Sequence, residues 1–519
     1  MSMMARSFLL LACSSLSFAQ VAVTTYHYSN GRIGWNPYES VLTPANVSGG
    51  SFGLLQTVAL DDQVDAQPLV VPNIKITAGN YQGVHTVVYV ATEGNTVYAI
   101  DATAGTVLLS ANFGTPVSYP LGCTNNGPNV GINSTPVIDQ AEGAMYVIVY
   151  TQTAKGTAYY VHELDLGSLT DRVAPRLITA SHTLSGGATV TFNAYVQRQR
   201  PGLLLANGNV YAGFGSFCDF ATKTSRGWLL GWQIGTLDPL PANQLMNTDS
   251  SSPNTYFLSS IWMSGYGLAA DSQGNVLFVT GNSDPAGTTY NGVTSIQESA
   301  VKVSPSLTTV LDVFTPYYQP ILDEYDVDFG SGGIMLLPSQ PGSIPNLAVA
   351  AGKDGKMFLM NEQSLGGFST TTNNVLGTYK IGSCYCGASY FNDGQARVVS
   401  SGGSTVNVWT LATSPSPSLS LAESSAGIVT GPQNPGFFTS ISSNGKSKFI
   451  VWALSHPTTA TGSPIYLYAF DPEDEMELLF QGQAGQWPNI YGNSNLVPVV
   501  ANGEVFVASY QQLQIFGLN

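Results

Sequence analysis

Four carboxylates lie close together in the middle of the chain. Asp323, Glu324, Asp326 and Asp328 occur within six residues, in the stretch DEYDVDFGSGG (323–333). Calcium prefers oxygen ligands, so two or three of these side chains pointing the same way would begin a metal site, although their spacing is not that of an EF-hand loop. Carboxylates in loops also cap turns and accept backbone N–H groups. A purely structural role for Asp326 and Asp328 therefore stays open.

The chain that must position these carboxylates reads as strands and turns throughout. The stretch VVYVATEGNTVYAIDATAGTVLLSANFG (87–114) alternates short apolar runs with turn residues and has no helical period. One such meander cannot bury both of its faces, so it needs neighbours of the same kind. Similar meanders recur at 134–166, 201–234, 265–316, 332–382, 396–424, 438–481 and 494–517.

The last of these meanders offers only three strands. Closing a ring of sheets is most favourable when the final sheet takes a strand from each end of the chain, because closure pairs edges that would otherwise stay open. The run Phe52–Leu60 is a spare strand near the beginning of the chain. The pattern therefore predicts an all-β, eight-bladed β-propeller whose last blade is completed by the N-terminal strand. Seven blades is the alternative if residues 383–430 are an insertion.

Six stretches carry a family resemblance. TVYAIDATAGTVLL (96–109) resembles the repeat of the quinoprotein-type propellers, the fold of the pyrroloquinoline quinone dehydrogenases. YHYSNGRIGWN, LTPANV, FGLL and DAQPLVVPN resemble the opening of a family of secreted bacterial proteins with such a propeller, and DVDFGSGG is similar to a stretch that enters an innermost strand in the dehydrogenase branch. The resemblance implies a site at the axial mouth of the ring, with pyrroloquinoline quinone and calcium as the cofactors of the dehydrogenases.

Residues just before each innermost strand should converge at that mouth. Among them, Arg198 and Arg200 are candidates to bind cofactor carboxylates in a bidentate manner, and Asp326 or Asp328 is the candidate base if the protein oxidises alcohols. Gln67, Asn133 and Asn493 are further candidates for cofactor contacts. The remaining mouth residues expected from the strand assignment are Asp65, Tyr266, Asp393, Gln395 and Thr439.

Several features of the dehydrogenases are missing from the sequence. It has no pair of adjacent cysteines, no Cys-x-x-Cys-His haem motif, and no tryptophan at the repeat position equivalent to Val107–Leu109. Two functions therefore stay open, since a fold alone does not decide function. We favour a non-catalytic protein that binds a partner protein, a glycan or a small molecule at the axial mouth. The alternative is a quinone-dependent dehydrogenase of alcohols or sugars.

Composition restricts the partners of the chain. Its net charge is −15, with 17 Lys and Arg residues against 32 Asp and Glu. Nucleic-acid binding needs basic clusters that neutralise phosphates, and the sequence has none, so we expect no nucleic-acid partner. No run of about 20 apolar residues predicts a membrane-spanning helix.

The N-terminus predicts export. Arg6 precedes an apolar run, and Ser17-Phe18-Ala19 is a small-x-small cleavage site, so residues 1–19 are interpreted as a signal peptide and 20–519 as a single propeller domain. A lipobox-like Leu10-Leu11-Ala12-Cys13, with a lipid on Cys13, is the alternative. The arm Tyr26–Asn36 after the signal is polar, aromatic and glycine-containing, and we expect it to lie on the surface.

Four cysteines remain after cleavage: Cys123, Cys218, Cys384 and Cys386. An even number in an oxidising compartment permits two disulfides, with three connectivities. We favour Cys123 with Cys218 and Cys384 with Cys386.

Overall fold

The computed structural model describes residues 20–124, 127–219, 225–250, 256–428, 436–456, 463–488 and 495–519. The predicted signal peptide, the alternative anchor at Cys13 and the candidate Asn493 lie outside the described residues. Within them, no helix is both long enough and apolar enough to cross a membrane.

Eight antiparallel sheets follow one another along the described chain, which confirms the eight-bladed propeller. Many turns between strands carry residues that tolerate positive φ, such as Asn95 and Gly105 in the first blade. The first four blades, in chain order and from the innermost strand outward, are these. Blade 1 consists of Leu69–Ile76, Gly83–Ala91, Thr96–Asp101 and Val107–Asn112. Blade 2 consists of Val137–Asp139, Ala144–Thr153, Gly156–Asp165 and Arg176–Leu177. Blade 3 has Gln197–Gln199 and Leu204–Ala206 side by side on Asn209–Ser216, then Trp228–Gln233 and Gln244–Leu245. Blade 4 consists of Ala269–Ala270, Val276–Val279, Ala300–Val303 and Val310–Thr315, extended in parallel by Gly367–Phe368.

The other four blades continue the same order. Blade 5 consists of Ile334–Leu336, Leu347–Ala351, Lys356–Asn361 and Gly377–Lys380. Blade 6 consists of Ser389–Asn392, Ala396–Ser400, Asn407–Ala412 and Ser418–Ser424. Blade 7 consists of Phe438–Asn444, Ser447–Leu454, Ser463–Asp471 and Glu477–Trp487. Blade 8 has Val499–Ala501, Glu504–Leu518 and Phe52–Gln63. Short helices occur at Pro44–Ser48 and Gln319–Tyr325, the second of which ends at Asp326 in the left-handed region.

The N-terminal strand closes the ring as predicted. Phe52–Gln63 pairs antiparallel with Glu504–Leu518, with Phe52 opposite Leu518 and Val58 opposite Leu513. Phe52 is buried, and its ring centroid lies 5.3 Å from that of Trp452 and 4.9 Å from that of Phe480. The junction of Phe52–Gln63 with Glu504–Leu518, which we call the seam of blade 8, is therefore also packed. The apolar faces of neighbouring blades form the core, and one buried cluster joins blades 3, 4 and 5.

The prediction that the arm Tyr26–Asn36 lies on the surface is wrong. Tyr26, His27, Arg32 and Asn36 are buried, and the arm runs round the axis inside the ring. Together with Val23 and Thr24, which precede it, the arm forms hydrogen bonds at every blade. Val23 exchanges backbone hydrogen bonds with Val70 in blade 1, and Thr24 O accepts the Ile138 N–H in blade 2. The arm itself supplies the remaining bonds, which are Arg32 to Leu203 O beside blade 3, Ala270 N–H to Asn30 O in blade 4, Leu336 N–H to Gly31 O in blade 5, Tyr390 N–H to Ile33 O in blade 6, Ile441 N–H to Gly34 O in blade 7, and Val500 N–H to Tyr28 Oη in blade 8. The polar groups of the arm are buried because each inner strand supplies a partner for them.

Both favoured disulfides are confirmed. Cys123 pairs with Cys218, with 5.6 Å between their Cα atoms, and Cys384 pairs with Cys386 across Tyr385. The first links the segment before blade 2 to the loop of blade 3.

Candidate functional site

Several of the residues predicted at the axial mouth do come together. Asp65, Asn133, Arg198 and Arg200 meet where blades 1, 2 and 3 begin, and Asp328 reaches the same region from the start of blade 5. Side chains that the sequence analysis did not name join them. We call the following group the axial cluster: Asp65, Glu93, Asn133, Arg198, Arg200, Trp262, Asp328, Lys353 and Tyr385.

Other predicted mouth residues have different roles. Gln67 holds the buried arm, because its Oε1 accepts the His27 N–H at 3.0 Å and its Nε2 donates to Thr25 O. Tyr266 likewise donates its hydroxyl to Arg32 O at 2.8 Å. Thr439 shares a hydrogen bond with Ser389 between blades 6 and 7.

The prediction for Asp393 and Gln395 is wrong. They form the turn between Ser389–Asn392 and Ala396–Ser400, at the opposite end of the innermost strand from the mouth, and Asp393 pairs with Arg397 at 2.9 Å. The error follows from the strand assignment, since Ser389–Asn392 rather than Ala396–Ser400 is the innermost strand of blade 6.

One half of the axial cluster is a chain of hydrogen bonds that ends on an arginine. Glu93 accepts the N–H of Gly131 at 2.6 Å and the side-chain amide of Asn133, and Arg198 Nε donates to Asn133 Oδ1 at 3.0 Å. Burial and the neighbouring Asp65 raise the pKa of Glu93 well above its usual value, and burial also raises the pKa of Asp65.

The side chain of Arg200 is buried and has hydrogen-bond donors without partners in the described part of the chain. It is 4% exposed, and its Nε and Nη2 have no hydrogen-bond partner among the described residues, as is also true of Arg198 Nη2. Its guanidinium carbon lies 5.1 Å from the centre of the Trp262 ring. Burial, together with repulsion from Arg198, lowers the pKa of Arg200 to about 9, so it remains charged at neutral pH. Buried donors without partners cost free energy, and a structure that keeps them points to an absent acceptor.

Trp262 is positioned by a turn with left-handed backbone that directly follows it. The next three residues, Met263, Ser264 and Gly265, all have positive φ, at 42°, 48° and 78°. Such backbone is rare for residues other than glycine, and it concentrates at functional sites. The glycine at 281 allows Trp262 and Asp328 to meet, because a Cβ there would lie 2.6 Å from both the indole Nε1 and Asp328 Oδ1.

The other half of the cluster is a buried lysine with two aspartates. Lys353 Nζ contacts Asp328 Oδ2 and lies 3.1 Å from Asp326 Oδ1, and it is 5.4 Å from the ring centres of both Trp262 and Tyr385. Burial alone would raise the pKa of Asp328, but the Lys353 ammonium and the N–H of Asn282 outweigh it and lower that pKa. Asp328 is therefore an ionised carboxylate, 1% exposed, next to the aromatic face.

The four carboxylates predicted to hold calcium do not converge. Asp323 accepts hydrogen bonds from Ser283 N–H, Gln297 and Gln319, whereas Glu324 is exposed on the short helix. In the described ranges, no group of three or more His, Cys, Asp or Glu side chains is placed to hold a metal ion. Calcium binding at this stretch stays a prediction, with only Asp326 and Asp328 near each other.

A further acid belongs to this region although the sequence analysis did not name it. Asp219 follows the disulfide-bonded Cys218 and accepts a hydrogen bond from Ser216 Oγ. Burial and the nearby Asp328 raise its pKa to about 6. The disulfide therefore fixes the loop that brings a third carboxylate toward Lys353.

Three of the residues that were missed share one position in the fold. Glu93, Asp219 and Lys353 each follow the second strand of a blade, after Ala91, Ser216 and Ala351 respectively. The second strand is antiparallel to the first, so its end lies beside the start of the first strand and reaches the same mouth. Reading the residues that follow each second strand would therefore have predicted these three side chains at the mouth.

Comparison with solved structures shows the same fold elsewhere. A quinohemoprotein alcohol dehydrogenase from Pseudomonas putida HK5 superposes with a TM-score of 0.63 at 15% identity, covering 96% of this chain and 80% of that one. A europium-containing methanol dehydrogenase superposes with a TM-score of 0.62 at 12% identity, covering 96% and 98%. No protein-family model and no curated protein matches the sequence. At these identities the likeness is one of fold, and the chain has the eight-bladed propeller fold seen in quinoprotein alcohol and methanol dehydrogenases.

Proposed function

We propose that the axial cluster binds a planar small molecule that carries several carboxylates, and that the protein acts as a binding protein through this site. The observation that carries the proposal is a pair of buried arginines, Arg198 and Arg200, with N–H groups that have no partner among the described residues, and Arg200 lies against the Trp262 ring. A carboxylate is the natural acceptor for these donors, because it accepts two parallel N–H bonds from a guanidinium. An aromatic ligand would in addition cover the indole face.

Pyrroloquinoline quinone meets these requirements. It is a flat tricycle with three carboxylates, and Arg198 and Arg200 supply donors for them while Trp262 supplies a stacking surface. When bound, such a quinone supplies a two-electron acceptor. Of the carboxylates of 323–328, Asp323 is already satisfied and Glu324 is exposed, while Asp326 and Asp328 both pair with Lys353, so this stretch does not fit a calcium ion while the ammonium is in place.

One observation favours the second candidate function, a quinone-dependent dehydrogenase. Asp328 is a buried, ionised carboxylate at the same aromatic face, and Lys353 and the N–H of Asn282 hold it in place. In that function Asp328 would accept the hydroxyl proton of an alcohol, as a general base. Lys353, whose pKa is well above its usual value because of Asp328, would remain a fixed positive charge.

Titration of the purified protein with pyrroloquinoline quinone tests the binding proposal. We expect saturable quenching of tryptophan fluorescence and a higher melting temperature. Arg200→Gln removes a charged hydrogen-bonding partner worth about 1.5–3 kcal/mol, so it should weaken affinity by roughly 10- to 100-fold. Arg172→Gln is the matched control, because Arg172 is partly exposed and pairs with Glu163 away from the cluster. Absence of saturation at any concentration would refute the proposal.

Dye reduction separates the two functions. A panel of alcohols and sugars is added to the quinone-loaded protein, and reduction of an electron-accepting dye is recorded. Binding without reduction supports the binding protein. Reduction that Asp328→Asn abolishes, while quinone affinity stays within a few-fold, supports the dehydrogenase.

We further infer that the protein works outside the cytoplasm, with residues 1–19 removed and 20–519 forming one domain. Two disulfides in the structure support an oxidising compartment. Mass spectrometry of the mature protein, with and without a reductant, would test both the cleavage site and the disulfides.

A further inference from the structure

Two side chains, Lys353 and Arg200, place positive charge next to Trp262 in the axial cluster. Lys353 Nζ contacts Asp328 Oδ2, lies 3.1 Å from Asp326 Oδ1 and donates to Asp326 O at 3.2 Å. The ammonium is therefore in contact with three oxygens, and the ring centres of Trp262 and Tyr385 each lie 5.4 Å from it. This is the coordination that a small hard cation would seek from the same oxygens.

A second fixed cation lies on the same aromatic side chain. Arg200 is 5.1 Å from the Trp262 ring centre and Lys353 is 5.4 Å from it. A guanidinium and an ammonium are the ordinary forms of these side chains at neutral pH, and Lys353 is in addition paired with Asp328. An anionic ligand lying against Trp262 would thus meet two cations without any metal ion.

Asn282, which contacts both aspartates, has a side-chain oxygen without a partner in the ranges that the structure describes. Its backbone N–H donates to Asp328 Oδ1 and its Nδ2 donates to Asp326 Oδ1 at 3.1 Å, whereas its Oδ1 is buried and accepts no hydrogen bond among the described residues. A neutral amide oxygen is a usual calcium ligand.

We infer that the Lys353 ammonium takes the place of a divalent cation, so that ligand binding at the axial cluster is independent of metal ions. It follows that removing the ammonium opens a latent cation site formed by Asp326, Asp328 and Asn282 Oδ1. The statement about the ligand rests on the proposed function, whereas the statement about the cation site does not.

Terbium luminescence tests the cation site directly. Tb³⁺ replaces Ca²⁺ in oxygen sites, and its emission is excited through a nearby tryptophan such as Trp262. We expect Lys353→Met to gain a saturable, tryptophan-excited signal that the native protein lacks, and the further change Asp328→Asn to remove the gain. Lys356→Met is the matched control, because Lys356 pairs with Asp354 at 3.5 Å over the Tyr318 ring, away from these oxygens. It should gain nothing.

Two outcomes would overturn the inference. One is a native protein that already shows a saturable terbium site that Asp328→Asn abolishes. The other is a Lys353→Met protein with native circular dichroism and no new site.

The native protein alone provides a second test, which holds even if Lys353→Met does not fold. After treatment with EDTA, its affinity for pyrroloquinoline quinone should stay within about twofold of the value in excess Ca²⁺. A loss of tenfold or more that Ca²⁺ restores would overturn the inference. If the quinone binds under neither condition, the proposed function fails, while the terbium experiment still decides the question of the cation site.

Discussion

Replacing Arg32 with methionine tests whether the buried arm holds the ring together. The Arg32 side chain is fully buried and donates five hydrogen bonds: to Leu268 O at 2.7 Å, Thr25 Oγ1 at 2.6 Å, Tyr26 O at 2.9 Å, Ser29 O at 3.3 Å and Leu203 O at 3.0 Å. Leu203 and Leu268 immediately precede strands of blades 3 and 4, whereas Tyr26 and Ser29 belong to the arm and Thr25 directly precedes it. Methionine fills a similar volume but donates nothing.

The expected loss follows from these five bonds. At about 1 kcal/mol for each bond, the five bonds together stabilise the folded state by about 5 kcal/mol. Burying the charged guanidinium costs free energy that the methionine variant does not lose, and this offsets part of the roughly 5 kcal/mol. We therefore expect a loss of about 3 kcal/mol in the free energy of unfolding. With an unfolding entropy of about 2.1 cal/mol/K per residue over roughly 500 residues, this lowers the melting temperature by about 3 °C.

Calorimetry and hydrogen exchange would measure the effect. In Arg32→Met, the amides of Ala270, Leu336, Tyr390 and Ile441 should exchange faster, because they donate to carbonyls of the arm. Arg172→Met is the control, since the Arg172 side chain is 32% exposed and should change the melting temperature by less than about 1 °C. A variant that melts within 1 °C of the native protein, with unchanged exchange at those amides, would refute the reasoning.

Three further predictions concern stability and are measured by urea unfolding. Phe52→Ala removes a ring from the aromatic cluster at the seam of blade 8 and should lower the free energy of unfolding by about 3–5 kcal/mol. Leu54→Ala is the control on the same strand, because Leu54 is 46% exposed and its loss should be less than about 1 kcal/mol. Equal losses would contradict the packed seam. Burial raises the pKa of Glu504 from 4.5 to about 7, so the folded state binds the proton more tightly and native stability falls as pH rises across that window. Glu504→Gln should therefore match the native protein at pH 4 and exceed it by about 1–2 kcal/mol at pH 8, a figure reduced for partial solvent screening; the same difference at both pH values would show the assignment wrong. Changing Cys123 and Cys218 to serine opens a loop of 95 residues and should cost about 2–4 kcal/mol, and no change under non-reducing conditions would contradict a structural role for this disulfide.

Much of the fold could be predicted from the sequence because it is set locally. Alternating strands and turn residues determine the blades, and the shortage of one strand in the last meander points to Phe52–Gln63 as its partner. An even number of cysteines made the disulfide pairing a choice among three. Blade 6 was assigned wrongly, because its innermost strand is Ser389–Asn392 and not Ala396–Ser400.

The arm and the axial cluster depend on contacts that are distant in sequence. Two of the five acceptors of Arg32, Leu203 O and Leu268 O, lie 171 and 236 residues away in the sequence. The arm has the composition of a surface loop, and its polar groups can be buried only when the closed ring supplies these partners. Lys353 and Glu93 lie in ordinary turn sequences, and only the antiparallel return of the second strand brings them to the axis. Trp262 was overlooked because its left-handed turn has no clear sequence signature.

A crystal structure of the protein grown with pyrroloquinoline quinone is the most direct test of the account. We expect planar density on the Trp262 face, with carboxylate oxygens within hydrogen-bonding distance of Arg200 Nε and Nη2 and no metal ion between the ligand and Asp328. Density elsewhere on the propeller, or an empty axial cluster at saturating quinone, would contradict the central claim.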